Sequence, residues 1–190
     1  MRSFHPTAIA RKKLSMPMRT LVEKGIIDRD DYILDYGAGR GNCIKHLRRQ
    51  LKYHASYGYD PNMPTPDTFF LLNNRDQITK EINFKTVTLI YVLNVIENIE
   101  ERKKVLEDAF HLATNYLAIA VRTEKIPGTT KGDGVITKRK TFQRRYNTKE
   151  LIAFITSTLG EVFKPTMLRV IKPGLVVITK GQSHVETTYR

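Results

Sequence analysis

The sequence predicts an α/β fold: a mostly parallel sheet with helices on both faces, closed by a C-terminal antiparallel hairpin. Three observations predict it. From residue 31 almost to the end, apolar stretches of strand length alternate with amphipathic stretches of helix length, the order of a parallel sheet covered by helices. The first of these strands runs into a glycine-rich turn, "DYGAGRGN" at 35–42, that leads straight into a helix. The last two apolar runs are joined by Lys-Pro-Gly, which suits a tight turn between antiparallel strands. A chain of 190 residues is long enough for one domain with a full core, so residues 1–190 are read as a single domain.

Residues 1–30 form one or two helices flanking the sheet, with Pro17 near a helix start, where its missing N–H is harmless. "YILDY" (32–36) is the first strand. Asn42 to Leu51 is a helix, because Ile44, Leu47 and Leu51 fall on one face. "ASYGYD" (55–60) is the second strand. "TLIYVL" (88–93) is an uninterrupted apolar run bounded by polar residues, as in a strand buried on both faces. The stretch 98–113 places Ile99, Val105, Leu106, Ala109, Phe110 and Ala113 near helical spacing. "YLAIAVR" (116–122) is again a strand. A helix follows over 148–160, with Thr148 to cap its start and Gly160 to end it in a left-handed conformation. Two strands within 161–181 turn at Pro173 and Gly174, and the tail from 182 to 190 is frayed.

Composition narrows the function classes. The formal charge of +13 sets up a positive field that favours polyanions, and nucleic acid is the natural partner, although charge alone does not choose a ligand. Cys43 is the only cysteine, which excludes an internal disulfide and a cysteine-built zinc site, and no metal site is expected. No stretch reaches the roughly 18 to 20 apolar residues that span a bilayer, and the N-terminus lacks a secretory apolar block. The expectation is a soluble cytoplasmic protein with no membrane partner.

A glycine turn between strand and helix lets the backbone approach a ligand closely. A nicotinamide fingerprint, G-x-G-x-x-G, would need glycine at 42, where Asn42 stands. The pattern present, Asp35-x-Gly37-x-Gly39-x-Gly41, resembles the first motif of Rossmann-like S-adenosylmethionine-dependent methyltransferases. That resemblance implies a seven-stranded sheet, with Asp35 holding the cofactor's amino-acid moiety and the glycines passing beside its adenosine. Asp60, next to Pro61 in "GYDPN", follows Gly41 by nineteen residues, close to the roughly 20 expected of a ribose-binding carboxylate. Two acceptor oxygens suit vicinal hydroxyls.

After the run 88–93 comes the place where such enzymes present groups to the methyl acceptor. In DNA amino-methylating enzymes this place carries Asp or Asn, two prolines and an aromatic that stacks on an extruded base. Asn94 is present, but Val95, Ile96 and Glu97 replace the rest. A carbon-5 cytosine mechanism also fails, since Cys43 lies in the first helix of the sheet region and not in a Pro-Cys pair. Asn94 and Glu97 either line the cofactor and acceptor pocket, with Glu97 a possible base, or cap the following helix.

The segment 123–147 is too long and polar for a mere connection. Lys131, Lys138, Arg139, Lys140, Arg144 and Arg145 are interleaved with Phe142 and Tyr146, the mixture that neutralises phosphates and stacks on bases; alternatively the two rings are tucked into the core. Lys12 and Lys13 in "ARKKL" extend the same patch.

Taken in order, "HPTAIARKKLSMPMR" (5–19), "LDYGAGRGN", "GYDPN", "YVLNVIENIEERKKVLEDA" (91–109) and "GDGVITKRKTFQRRY" (132–146) resemble the methyltransferase family associated with DNA phosphorothioation systems. The similarity spans about residues 5–180, and members of that family are longer, with a further region absent here. The resemblance implies methyl transfer near nucleic acid, DNA before RNA, and places His5, Thr7, Ser15, Asp133, Thr141, Phe142 and Gln143 in one site. A nitrogen or oxygen acceptor must lose a proton, which Glu97, Asp133 or His5 could receive while Asn94 orients the acceptor. Two other readings stay open: a module that binds the cofactor without catalysis, and a methyltransferase of small molecules.

Overall fold

The computed structural model describes residues 7–8, 10, 12–64, 66, 68–78, 82–160 and 168–180. His5, residues 161–167 of the stretch expected to hold the last two strands, and the tail from 182 lie outside the described residues.

Helix α1 (Met16–Glu23) begins at Ser15, whose Oγ accepts the Met18 N–H, with Pro17 in the first turn. Strand β1 (Ile33–Tyr36) leads through the glycine turn into α2 (Asn42–Leu51). Then come β2 (Ser56–Tyr59), β3 (Leu71–Leu72), β4 (Thr86–Ile90), α3 (Ile99–Leu112) and β5 (Tyr116–Ala120). Strands β6 (Thr129–Lys131), β7 (Gly134–Ile136) and β8 (Phe142–Gln143) precede α4 (Thr148–Leu159), and β9 (Leu168–Lys172) and β10 (Leu175–Thr179) are the last elements among the described residues.

The main sheet has seven strands in the order β3-β2-β1-β4-β5-β10-β9. All pairs from β3 to β5 are parallel, and β10 runs antiparallel to both β5 and β9. The expected parallel sheet with a closing hairpin is thus present. Period-two alternation sorts its side chains to two faces: Leu34, Leu117, Ile119, Val176 and Ile178 join Leu106, Phe110, Leu151 and Ile155 of α3 and α4. Ile33, Ala118, Leu175 and Val177 join Met18 and Leu21 of α1 and Ile44 and Leu47 of α2. Helices therefore cover both faces, and the apolar strand residues are buried twice over.

Two differences from the sequence reading matter. The apolar run 88–93 does not stay a strand: β4 ends at Ile90, and Tyr91 takes φ +62°, which turns the chain out of the sheet. The segment 123–147 is not a plain loop, since β6, β7 and β8 form a separate three-stranded antiparallel sheet. The chain passes from β1 outward to β2 and β3, then returns to β4 on the other side of β1. Such a reversal opens a crevice at the carboxyl ends of the strands, where α/β sheets bind ligands.

Candidate active site

That crevice is a cleft of about 880 Å³, a size that accommodates a nucleoside-sized ligand. Its inner wall is the glycine turn. Gly37, Gly39 and Gly41 take φ of +85°, +57° and +66°, a region that side chains with a Cβ resist. At Gly37 a Cβ would also sit 2.4 Å from Val92 Cγ2, so glycine is needed for both reasons. Gly37 and Ala38 donate their N–H groups to Tyr59 O at 2.7 and 2.9 Å, which staples the turn to the end of β2.

The two acids are positioned by different partners. Asp35, at 5 % exposure, accepts the Thr88 hydroxyl from β4 at 2.8 Å, which fixes its carboxylate at the cleft floor. Asp60 accepts the Gly39 N–H on Oδ2 at 2.8 Å and the Asn62 N–H on Oδ1 at 2.9 Å. Those two bonds hold the carboxylate still and leave it lone pairs for a ligand's hydroxyls. Asp35, Gly37, Gly39, Asp60, Pro61 and Asn94 line the cleft, as expected of the cofactor residues. Gly41 is a correction: it is the N-cap of α2 and is buried against Leu71 instead of lining the cleft.

The segment after β4 forms the opposite wall. Asn94 is 2 % exposed; its Nδ2 donates to Gln143 Oε1 at 3.1 Å and its backbone carbonyl accepts the Arg144 N–H at 2.7 Å. Its Oδ1 is buried with no hydrogen-bond partner among the described residues. Glu97 lines the cleft and pairs with Lys131 at 2.8 Å. Neither residue caps the next helix. That role belongs to Asn98, whose Oδ1 accepts the Glu100 and Glu101 N–H groups.

The small sheet roofs the cleft and is fastened to this wall by Arg102, a residue that sequence reasoning passes over. Arg102 is fully buried in α3. Its guanidinium donates to Ile96 O at 2.8 Å, to Glu97 O at 3.2 Å, to Asp133 Oδ2 at 2.8 Å and to Tyr146 Oη at 3.1 Å. Arg144 also pairs with Asp133 and lies 4.2 Å over the Tyr146 ring. Burial pushes the Asp133 carboxyl up, but the hydrogen bonds and charges of Arg102 and Arg144 outweigh it and hold the carboxyl below its usual range. A carboxylate so held is a poor proton acceptor, and Asp133 does not line the cleft, which corrects its place among the candidate bases.

The proposed nucleic-acid residues divide. Lys12, Lys13, Lys138, Arg139 and Lys140 are exposed, and Lys140 also lines the cleft. Tyr146, at 0 % exposure, belongs to the apolar core beside α4 and is corrected as a stacking platform, whereas Phe142, at 7 % exposure, lies in neither apolar cluster and lines the cleft. Arg144 is committed to Asp133, and Arg145 donates its Nε–H to Thr123 O at 2.9 Å. Thr7, Ser15, Thr141, Phe142 and Gln143 do meet in one cleft. Among the described residues no cluster of acids, histidines and cysteine could hold a metal, and no helix is long and apolar enough to cross a membrane.

No protein-family model matches the chain, and no curated protein matches it. Solved structures do match in fold. One is the Pnkp1/Rnl/Hen1 RNA repair complex, at 15 % identity and a TM-score of 0.57, covering 86 % of this chain and 40 % of that one. Another is a SAM-dependent methyltransferase from Methanosarcina mazei, at 15 % identity and a TM-score of 0.55, covering 83 % and 94 %. A third is a magnesium protoporphyrin methyltransferase from Synechocystis with bound SAH, at 16 % identity and a TM-score of 0.52, covering 86 % and 80 %. The chain has the fold of Rossmann-like SAM-dependent methyltransferases.

Proposed function

We propose that the chain binds S-adenosylmethionine in this cleft and transfers its methyl group to nucleic acid, DNA before RNA, or to a nucleotide component. The observation that carries the reading is the joint placement of two fixed carboxylates, Asp35 and Asp60, on either side of a glycine turn within one cleft. The residues fit the cofactor chemically. Asp60 suits the ribose hydroxyls, Asp35 suits the charged amino group, and the turn offers bare main chain where a side chain would intrude. When bound, the cofactor supplies a methyl group on a positively charged sulfur, the electrophile of an in-line displacement. The chain's contribution is to hold the acceptor close and aligned, and to shed water from the cleft under the roof of β6, β7 and β8.

Between Glu97 and Asp133, Glu97 takes the role of proton acceptor, since it lines the cleft while Asp133 is tied to Arg102 outside it; His5 lies outside the described residues. The exposed cations Lys12, Lys13, Lys138 and Arg139 supply attraction for a polyanion, consistent with the net charge of +13. The fold itself does not choose the acceptor, because its neighbours include an RNA repair complex and a porphyrin methyltransferase.

The test uses cofactor carrying a labelled methyl group, offered with duplex DNA, single strands, tRNA and mononucleotides. Label is expected in DNA, with incorporation falling as salt rises. Asp35→Asn combined with Asp60→Asn is expected to weaken S-adenosylhomocysteine binding by about a hundredfold, the worth of two charged hydrogen bonds. Undiminished binding by that double variant would overturn the reading. Tight binding with label in no acceptor would leave a non-catalytic module, and label in small molecules alone would remove nucleic acid from it.

A further inference from the structure

Three non-glycine residues among those described hold a left-handed backbone: Lys52 at φ +62°, Tyr91 at +62° and Lys140 at +57°. Lys52 is the C-cap of α2, where this conformation is the ordinary way to close a helix. Tyr91 and Lys140 close no helix. Both line the same cleft, Tyr91 just past the end of β4 and Lys140 in the turn between β7 and β8. In that turn the Lys140 N–H donates to Thr137 O and the Thr137 N–H donates to Thr141 O, each at 2.9 Å. At Lys140 these bonds are those of a three-residue hairpin loop that an αL residue ordinarily closes, whereas Tyr91 closes neither a helix nor a hairpin, and a bulky aromatic holds such a backbone at a cost that persists where the side chain itself is needed.

A third feature of the same wall has a different physical origin. Asn94 follows Tyr91 by three residues and is bonded to Gln143, which follows Lys140 by three. Its Oδ1 is buried and has no partner among the described residues. A buried amide oxygen without a donor is destabilising, and a ligand N–H or O–H at that point removes the cost.

We infer that Tyr91, Asn94 and Lys140 form a subsite for a nucleotide-type group: a planar ring against Tyr91, an N–H or O–H toward Asn94 Oδ1, and a phosphate near Lys140. The inference rests on the methyltransferase reading for its name as the acceptor site, and it narrows that reading to acceptors carrying all three features. Of the two roles that the sequence leaves open for Asn94, cofactor and acceptor, this subsite takes the second.

The probes are the four deoxynucleoside monophosphates and the matching nucleosides, titrated calorimetrically into protein loaded with S-adenosylhomocysteine. At least one monophosphate is expected to bind, about tenfold more tightly than its nucleoside, the worth of one charge-assisted contact. In Lys140→Gly that preference should vanish while the melting temperature stays level or rises, because glycine relieves the backbone. Asn94→Ala should weaken monophosphate and nucleoside alike. Binding by none of the probes, a phosphate preference that survives Lys140→Gly, or a Lys140→Gly protein that melts lower would each overturn the inference. Should S-adenosylhomocysteine itself not bind, the cofactor reading fails on its own. The same titration of the unloaded protein then still decides the subsite.

Discussion

Arg102 is a guanidinium with no exposed surface, set in the first turn of α3. Desolvating such a group is costly, and it persists because two backbone carbonyls, a carboxylate and a phenol accept its N–H groups. Removing it orphans Ile96 O and Glu97 O while Asp133 keeps Arg144. Arg102→Met should therefore cost about 2–3 kcal/mol in urea unfolding, less than a wholly buried pair would. A loss below about 0.5 kcal/mol would show that the carbonyls find water instead. Such a residue was not legible in the sequence. Its partner Asp133 lies 31 positions away, and one arginine among the charged positions of α3 carries no periodic signal. Asp35 and Asp60 were legible, because a strand-turn-helix fixes the spacing of both acids relative to the glycines. Tyr146 was not legible: alternation with cations looks the same whether a ring faces bases or α4, and the Tyr146 ring packs toward Phe154 of that helix.

Among the elements, the long apolar ones were readable and the short ones were not. Helices α2, α3 and α4 and strands β1, β2, β5 and β10 follow from period and burial, with shifts of a residue or so at their ends. Helix α4 starts at Thr148 as expected, but its cap is Asn147, not Thr148: Asn147 accepts the Glu150 N–H while Glu150 reaches back to the Asn147 N–H. Strand β3 has two residues and β8 has two, too few for any period to register. In the meander of β6, β7 and β8, β6 is exposed and polar and the other two strands have three and two residues, too short for an apolar alternation to announce them. Its pairing depends on Gly134, where a Cβ would sit 2.6 Å from Gln143 O and 2.5 Å from Phe142 Cζ. Gly134→Ala should pry β7 from β8 and carry Gln143 away from Asn94, destabilising the fold by only about 1–2 kcal/mol. Methyl transfer should fall at least tenfold with S-adenosylhomocysteine affinity nearly unchanged, a split between acceptor and cofactor measured by parallel kinetics and calorimetry. Equal losses of both would count against a roof with its own role.

For the whole molecule, acid sensitivity follows from where its carboxylates sit. Asp108 of α3 is gripped bidentately by Arg75, at 2.9 and 2.8 Å, and accepts the Tyr36 hydroxyl at 2.8 Å. Burial pushes its carboxyl up, but these partners outweigh burial and hold it below the ordinary 3.8. Asp133 behaves likewise. A carboxylate depressed in the folded state stabilises above its unfolded value and loses that contribution as pH falls through the folded one. Unfolding free energy should thus be level from about pH 7 to 5 and decline below about pH 4, with a shallower decline in Asp108→Asn. An identical acid slope in that variant would remove Asp108 from the account. The sheet that carries these ties is packed on both faces, yet no residue of either buried apolar cluster comes from 129–143. The wall over the cleft is fastened by Arg102, Asn94, Glu97 and their partners across a polar seam. A part attached this way can be lengthened, recharged or traded without remaking the interior, so what selects a partner and what carries the reagent are free to diverge at separate rates.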